Sequence, residues 1–287
     1  MTCTSVTIAT TSDDAIDSEI TISTGTVNVT GNITMNGNAA RNAIRFSGAG
    51  VLNIGGTGTM SGGSLVPSAG TVNYNGSGAQ NVGAYTYNNL TTSNSGTKTL
   101  NANITVTNNL SIEGTTVLVP NAANRISNTS PINLNGGTYR SGATAGFSDT
   151  VGVLTLSENS NIILGTGNHT LTFANSNAAS WTSNKMLTIT GWVGGYNGTA
   201  ASGTNPKLFV GSTNTALTNS QLNQIQFFDG STNFPAILLS TGELVPIQTR
   251  VGDFSPSAVC EGETITITGL GFTGVTAVRV NGVNVAS

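Results

Sequence analysis

A short phrase returns along this chain every 20 to 25 residues, and that return constrains the fold more than any other feature. Residues 25–37 read GTVNVTGNITMNG and residues 50–62 read GVLNIGGTGTMSG, so Asn28 aligns with Asn53 and Met35 with Met60, both at an offset of 25. GTVNYNG then places Asn73 20 residues after Asn53, and the NNL of residues 88–90 returns at 108–110. Within each unit apolar residues stand two apart: Val27 and Val29, Leu52 and Ile54, Val72 and Tyr74, Ile104 and Val106. That alternation is the period of a strand with one buried face.

A unit of this size holds two or three short strands and tight turns, too little to bury its own apolar face. Stacked units bury a continuous core, so the expected fold is all-β, a parallel β-solenoid or β-helix. Gly and Asn suit the corners because they accept positive φ, and equivalent Asn side chains of successive coils can hydrogen-bond as ladders. The pattern runs on through Ile132 and Leu134, Leu154 and Leu156, Ile162 and Leu164, then Leu171 and Phe173. Roughly ten coils rising ~4.8 Å each predict a rod of about 50 Å. The unequal offsets leave antiparallel sandwich or barrel repeats as the alternative, since those also show evenly spaced short strands.

Composition decides whether such polar stretches fold at all. Disorder requires low hydrophobicity together with high net charge. Here the net charge is −3, 37% of residues are hydrophobic and only 7% are charged, so repulsion does not hold the chain open. Nine scattered Lys and Arg form no basic stripe able to neutralise a run of phosphates, which argues against nucleic acid. No apolar run approaches the ~18 residues of a membrane span. The opening MTCTSVTIATTSDD lacks the basic and apolar regions of a signal peptide, which leaves a cytosolic protein or a piece of something longer. Cys3 and Cys260 are the only cysteines and give no disulfide framework.

From residue 181 the texture changes, so the repeats are assigned to residues 1–180 and an end segment to 181–246. That segment holds both tryptophans, Trp181 and Trp192, and the larger-residue strands KLFVG and IQFF. LTNSQLNQI carries a helix start, with Thr218 as N-cap, Gln221 as its capping-box partner, and Leu217 and Leu222 as a hydrophobic staple. The open end of a solenoid exposes strand edges, so aromatics and one short helix read as a cap. The sharper reading is a ligand groove lined by Trp192 and Tyr196.

Two resemblances extend this reading. The segment LTITGW…KLFVGSTNTALTNSQLNQIQFFDG…AILLSTGELVP resembles one in very large bacterial surface proteins built from β-strand repeats. GTVNYNGSGAQNVGAYTYNNLTTSNSGTKTL, residues 70–100, is similar to repeats of secreted adhesin-like proteins of the Bacteroidetes type. Together they cover most of residues 20–246. After Pro246, the run Phe254-Ser255-Pro256, Gly262, Thr264 to Thr268, Gly269, Phe272, Gly274 and Val280-Asn281-Gly282 resembles the opening of an IPT/TIG domain. That resemblance implies the start of an immunoglobulin-like β-sandwich in residues 247–287, a partial domain because the full sandwich needs ~100 residues. It also implies a spacer or adhesion module, places the partner of Cys260 in the missing remainder, and makes the chain an internal piece of a longer extracellular or cell-surface polypeptide.

Candidate chemistry is sparse. GLGFTG, residues 269–274, fits G-x-G-x-x-G, but the alternating VTAVRV that follows forms no helix to hold a pyrophosphate. His169, the sole histidine, shares parity with Leu171 and Phe173 and reads as structural, since no nucleophile motif accompanies it. Asp13, Asp14, Asp17 and Glu19 form the acidic cluster that would hold calcium, the one ion the sequence suggests, although the spacing of a calcium loop is lacking. Glu113, Asp149, Glu158, Asp229 and Glu243 show no spacing that predicts the carboxylate pair of a glycoside hydrolase. No catalytic or cofactor-binding residue is assigned. The expected function is a structural stalk or adhesion segment that touches glycans or surfaces weakly if at all. The rivals are a polysaccharide lyase or hydrolase on a β-helix, for which three lysines (Lys98, Lys185, Lys207) are too few, and ice binding, for which the Thr pairs are too scattered.

Overall fold

A computed structural model describes residues 1–9, 18–36, 41–248, 250–258, 260, 263–270, 277–280 and 283–285. The chain is all-β apart from one helical turn, Asn219–Leu222, and winds as a parallel β-solenoid of about seven turns. One long sheet carries eight parallel strands, each from a successive coil: Thr2–Cys3, Thr26–Val29, Val51–Ile54, Thr71–Tyr74, Thr86–Thr92, Thr105–Glu113, Ile132–Asn135 and Leu154–Glu158.

The register of this sheet explains its stability. Val27, Leu52, Val72, Leu90, Leu110, Ile132 and Leu154 are successive register partners, as are Val29, Ile54, Tyr74, Thr92, Ile112, Leu134 and Leu156. Nearly all are buried, so the two rows are the inner wall of one continuous core. Parity then turns the residues between them outward. Thr2, Asn28, Asn53, Asn73, Thr91, Asn133 and Thr155 form a polar row on the opposite face, interrupted at Ser111, which is buried and donates to Glu113.

The other walls change partway along. The first three coils close with two three-stranded sheets, Val6–Ala9 with Ile33–Asn36 and Met60–Gly62, and Ser18–Ile22 with Asn42–Phe46 and Ser64–Val66. From Gln80 a second sheet replaces them. Its parallel strands are Gln80–Val82, Thr97–Leu100, Val117–Pro120, Thr138–Arg140, Ser160–Ile163, Leu187–Thr190 and Ile225–Phe228. A third wall stacks Asp149–Val151, Thr170–Phe173 and Lys207–Val210.

Parallel pairing therefore runs past residue 180, but the coils lengthen. Thr188 and its partner Gln226 are 38 residues apart, and nothing from these last coils extends the long sheet, which is why about seven turns form where uniform spacing predicts roughly ten. Trp181 Nε1 and the Thr182 amide instead bond the last strand's free carbonyls at Leu154 and Leu156. Antiparallel strands Asn233–Leu238 and Leu244–Pro246 finish the second sheet. The short helix begins as its sequence predicts: Thr218 caps it and exchanges both capping-box bonds with Gln221.

Corner geometry accounts for the glycines. Gly96 has φ +77°, and a Cβ there would press on the Gly78 carbonyl of the coil before it, so this turn needs a residue without a side chain. Beyond the solenoid, Arg250–Ser255 pairs antiparallel with Thr266–Leu270, and Val278–Val280 with Val283–Val285.

Candidate functional site

Two surfaces of different character are available for function: the outward polar rows, and a set of polar groups sunk into the core at the coil corners. The outward row of the long sheet is a ladder. Asn53 Nδ2 donates to Asn28 Oδ1 at 2.7 Å, Asn73 Nδ2 to Asn53 Oδ1 at 3.1 Å, and Ser93 Oγ to Asn73 Oδ1 at 2.9 Å. Further on, Thr155 Oγ1 donates to Asn133 Oδ1 at 3.1 Å. The second sheet carries its own ladder, Asn121 to Asn101 at 2.8 Å and Asn101 to Asn81 at 2.7 Å, ended by Arg125 Nε on Asn121 Oδ1 at 2.9 Å. Asn53, Asn73, Asn101 and Asn121 each use one donor and one acceptor along the rod and keep the others for solvent or a ligand.

The buried polar groups share one task. A corner leaves backbone donors and acceptors facing inward, and each costs about 1–3 kcal/mol if unpaired. Four serines supply acceptors to a neighbouring coil: Ser130 Oγ to the Val106 amide (2.8 Å), Ser141 to Gly165 (2.8 Å), Ser160 to Gly136 (2.9 Å) and Ser176 to Leu154 (3.0 Å). Long side chains supply donors. Gln80 Nε2 donates to the Ile54 and Gly58 carbonyls, and Gln221 Nε2 to those of Ser176 and Ala179. Lys98, the register partner of Gln80, is fully buried with Nζ on the carbonyls of Gly76 (2.6 Å) and Gly78 (3.1 Å). Among the described residues no carboxylate contacts it, and burial pulls its ammonium down to about 8.

The most chemically distinctive of these corners joins Ser141 and His169, whose side chains are 1% and 2% exposed as whole residues. Ser141 Oγ lies 2.8 Å from His169 Nε2, and His169 Nδ1 lies 3.0 Å from the Gly167 carbonyl. A carbonyl can only accept, so Nδ1 carries the proton and Nε2 accepts from the serine hydroxyl. Burial lowers the imidazole pKa below its ordinary value, with the Gly167 carbonyl opposing, which keeps the ring neutral. Gly146 lies flat against the ring, where any side chain would overlap it. On the neighbouring coil Asp149 Oδ2 accepts from the Ile126 amide at 3.3 Å, while Oδ1 has no partner; burial raises this carboxyl to about 6.

The residues singled out from sequence fall as follows. Asp13, Asp14 and Asp17 lie outside the described residues. Glu19 is exposed and is bonded by Arg45 Nε at 3.0 Å and Thr21 Oγ1 at 3.1 Å, which holds its carboxyl below the usual range. Among the described residues no three metal-ligating side chains gather. Trp192 and Tyr196 do meet, edge to face at 5.4 Å, but Trp192 is 6% exposed and also packs on Phe227, while Tyr196 packs on Phe234 at 4.3 Å. The pair is thus part of the cap's core, with Tyr196 alone half-exposed. The five scattered carboxylates are each engaged: Glu113 with Ser111, Asp149 with Ile126, Glu158 with Lys185, Asp229 within its own turn at Ser231 and Thr232, and Glu243 with the Ala201 amide.

The sequence assigned no role to Ser141, and none to Gln80 or to Lys98 beyond its place among the three lysines. For the last two a signal existed, because Lys98 shares inward parity with Leu100 and Gln80 with Val82. An open depression of about 440 Å³ occurs where the first sheets end, floored by Met35 and Met60 and walled by Tyr85, whose hydroxyl donates to the Gly62 carbonyl. No charged group lines it. Among the described residues no helix is long and apolar enough to cross a membrane. Comparison with protein-family models, with curated proteins and with solved structures finds no match.

Proposed function

We propose that this chain is a stalk or adhesion segment of a large secreted bacterial surface protein, a β-solenoid rod leading into a partial IPT/TIG module. The observation that carries the reading is the outward row from Thr2 to Thr155, neutral amides and hydroxyls repeated on every coil of a rigid sheet except that of the buried Ser111. Such a surface offers hydroxyl-bearing ligands many equivalent, individually weak contacts, as extended glycan chains require. The interior supports the same reading, since its buried polar groups are spent on holding one coil to the next. In the C-terminal segment Val251, Phe254, Ile265 and Val278 are exposed.

The test is a panel of soluble and immobilised polysaccharides. The expected result is weak binding, ~1 mM per site, that strengthens with glycan length and tolerates changes of sugar type. Release of reducing or unsaturated sugar ends would overturn the reading in favour of a polysaccharide-active enzyme. Absence of binding to every surface tested would leave the chain a passive spacer.

A further inference from the structure

We propose that the Ser141–His169 contact is an acid-sensitive latch, and that protonation of the imidazole frees the corner loop of residues 142–148. The geometry needs a neutral ring. Nδ1–H is committed to the Gly167 carbonyl, and Nε2 is the acceptor for the Ser141 hydroxyl. A proton on Nε2 turns that acceptor into a donor. Ser141 Oγ already receives the Gly165 amide, so the serine would have to accept twice and its own hydrogen would lose its partner.

The added charge has no counter-ion in place. The titratable and charged groups near the ring come from three strands. Tyr139 and Arg140 precede Ser141 on the second sheet, and Asp149 is turned inward on the preceding strand of the third wall, opposite Leu171. Lys207 sits on the following strand, and its amide bonds the His169 carbonyl. Asp149 is the sole acid of this set, and its Oδ2 is taken by the Ile126 amide. It also takes up its own proton near pH 6, so it loses its charge in the range where the imidazole gains one.

The ring can reach water only if the loop moves. Gly146 covers it, and the loop is held by the Gly146 amide on the Thr166 carbonyl (2.9 Å), the Thr166 amide on the Thr144 carbonyl (2.9 Å) and the Phe147 amide on the Ser141 carbonyl (2.8 Å), and is hinged at Ser148, whose carbonyl accepts the Asn124 amide (3.1 Å) and whose hydroxyl accepts the Thr170 amide (3.0 Å). Ala143, Thr144 and Ala145 are already exposed. Releasing the ring therefore means lifting this loop away from the rod while the flanking ladders stay paired.

Amide exchange on the whole chain tests the latch. Corrected for the intrinsic pH dependence of exchange, the Gly146 and Gly165 amides should open severalfold faster at about pH 5 than at about pH 7, because a released imidazole takes up a proton more readily than the buried one. The Val106 amide, held by Ser130 alone, should not change. His169→Gln keeps an acceptor facing Ser141 but cannot titrate, so its exchange should be flat across the same range. Equal acceleration in His169→Gln, or unchanged protection of Gly146 and Gly165 in the native chain, overturns the proposal. Should the variant fail to fold, the native chain decides: protection of Gly146 and Gly165 that falls in step with the NMR titration of the imidazole supports the latch, and protection that stays constant through that titration refutes it.

Discussion

Replacing Ser141 by Ala removes one oxygen and should strand two buried partners. The Gly165 amide loses its acceptor at 2.8 Å and His169 Nε2 loses its donor at the same distance, in a corner where both residues are almost completely excluded from water. An unpaired buried polar group costs about 1–3 kcal/mol, so Ser141→Ala should destabilise by about 2–6 kcal/mol. Ser130 provides the internal control. It is equally buried and accepts the Val106 amide at 2.8 Å, but no imidazole leans on it, so Ser130→Ala should cost about 1–3 kcal/mol. Urea unfolding of the two variants beside the native chain, followed by far-ultraviolet circular dichroism, measures both. A solenoid can open coil by coil, so tryptophan fluorescence from the end segment should be recorded to show whether the transition stays concerted. If Ser141→Ala costs no more than Ser130→Ala, the serine hydroxyl does not satisfy the imidazole and the corner has been misread.

Other substitutions probe other levels of the fold. Leu110→Ala, at a fully buried position in the inner aliphatic row, should cost about 2–5 kcal/mol by the same urea assay. Gln221→Ala breaks the capping box and strands two carbonyls, so it should cost more than Thr218→Ala, for which about 0.5–2 kcal/mol is expected. Asp149→Asn should abolish a pH dependence. The folded state holds this carboxyl at about 6 against an ordinary 3.8, so its contribution is greatest below about pH 4 and declines as pH rises to about 6. Relative to the native chain, the Asn variant should gain up to about 3 kcal/mol at neutral pH and nothing at pH ~3, and taking the difference cancels the opposite titration of His169. A gain independent of pH would mean that the carboxylate is not desolvated as described.

Much of the architecture is legible in the residues themselves, and the reason is local. A strand alternates its side chains strictly, so Val72 and Tyr74, or Leu154 and Leu156, declare a buried face without knowledge of anything across from them. Phrases that repeat at 25 and 20 residues set Asn28, Asn53 and Asn73 in one row, and amides stacked at strand spacing bond to each other. The capping box of Thr218 and Gln221 spans three residues, close enough to be read directly.

Other features depend on corner length, which no local pattern fixes. Along the outward row the step is 25 residues from Asn28 to Asn53 and 18 from Asn73 to Thr91, and late in the second sheet it reaches 38 from Thr188 to Gln226. Each change in loop length alters which inward group meets which orphaned backbone atom. Lys98 in the run TKTL looks like one more surface lysine until the fold turns it inward onto two carbonyls. Ser141 stands among many serines and reaches His169 only because the corner between them closes across 28 residues. The sequence by itself therefore determined the strands, their inward faces and the solenoid that stacks them, because side-chain period and repeat are properties of neighbouring residues. Tertiary structure alone decided the long returns of the last coils, the change of cross-section and the polar corners, because those depend on where each loop returns the chain.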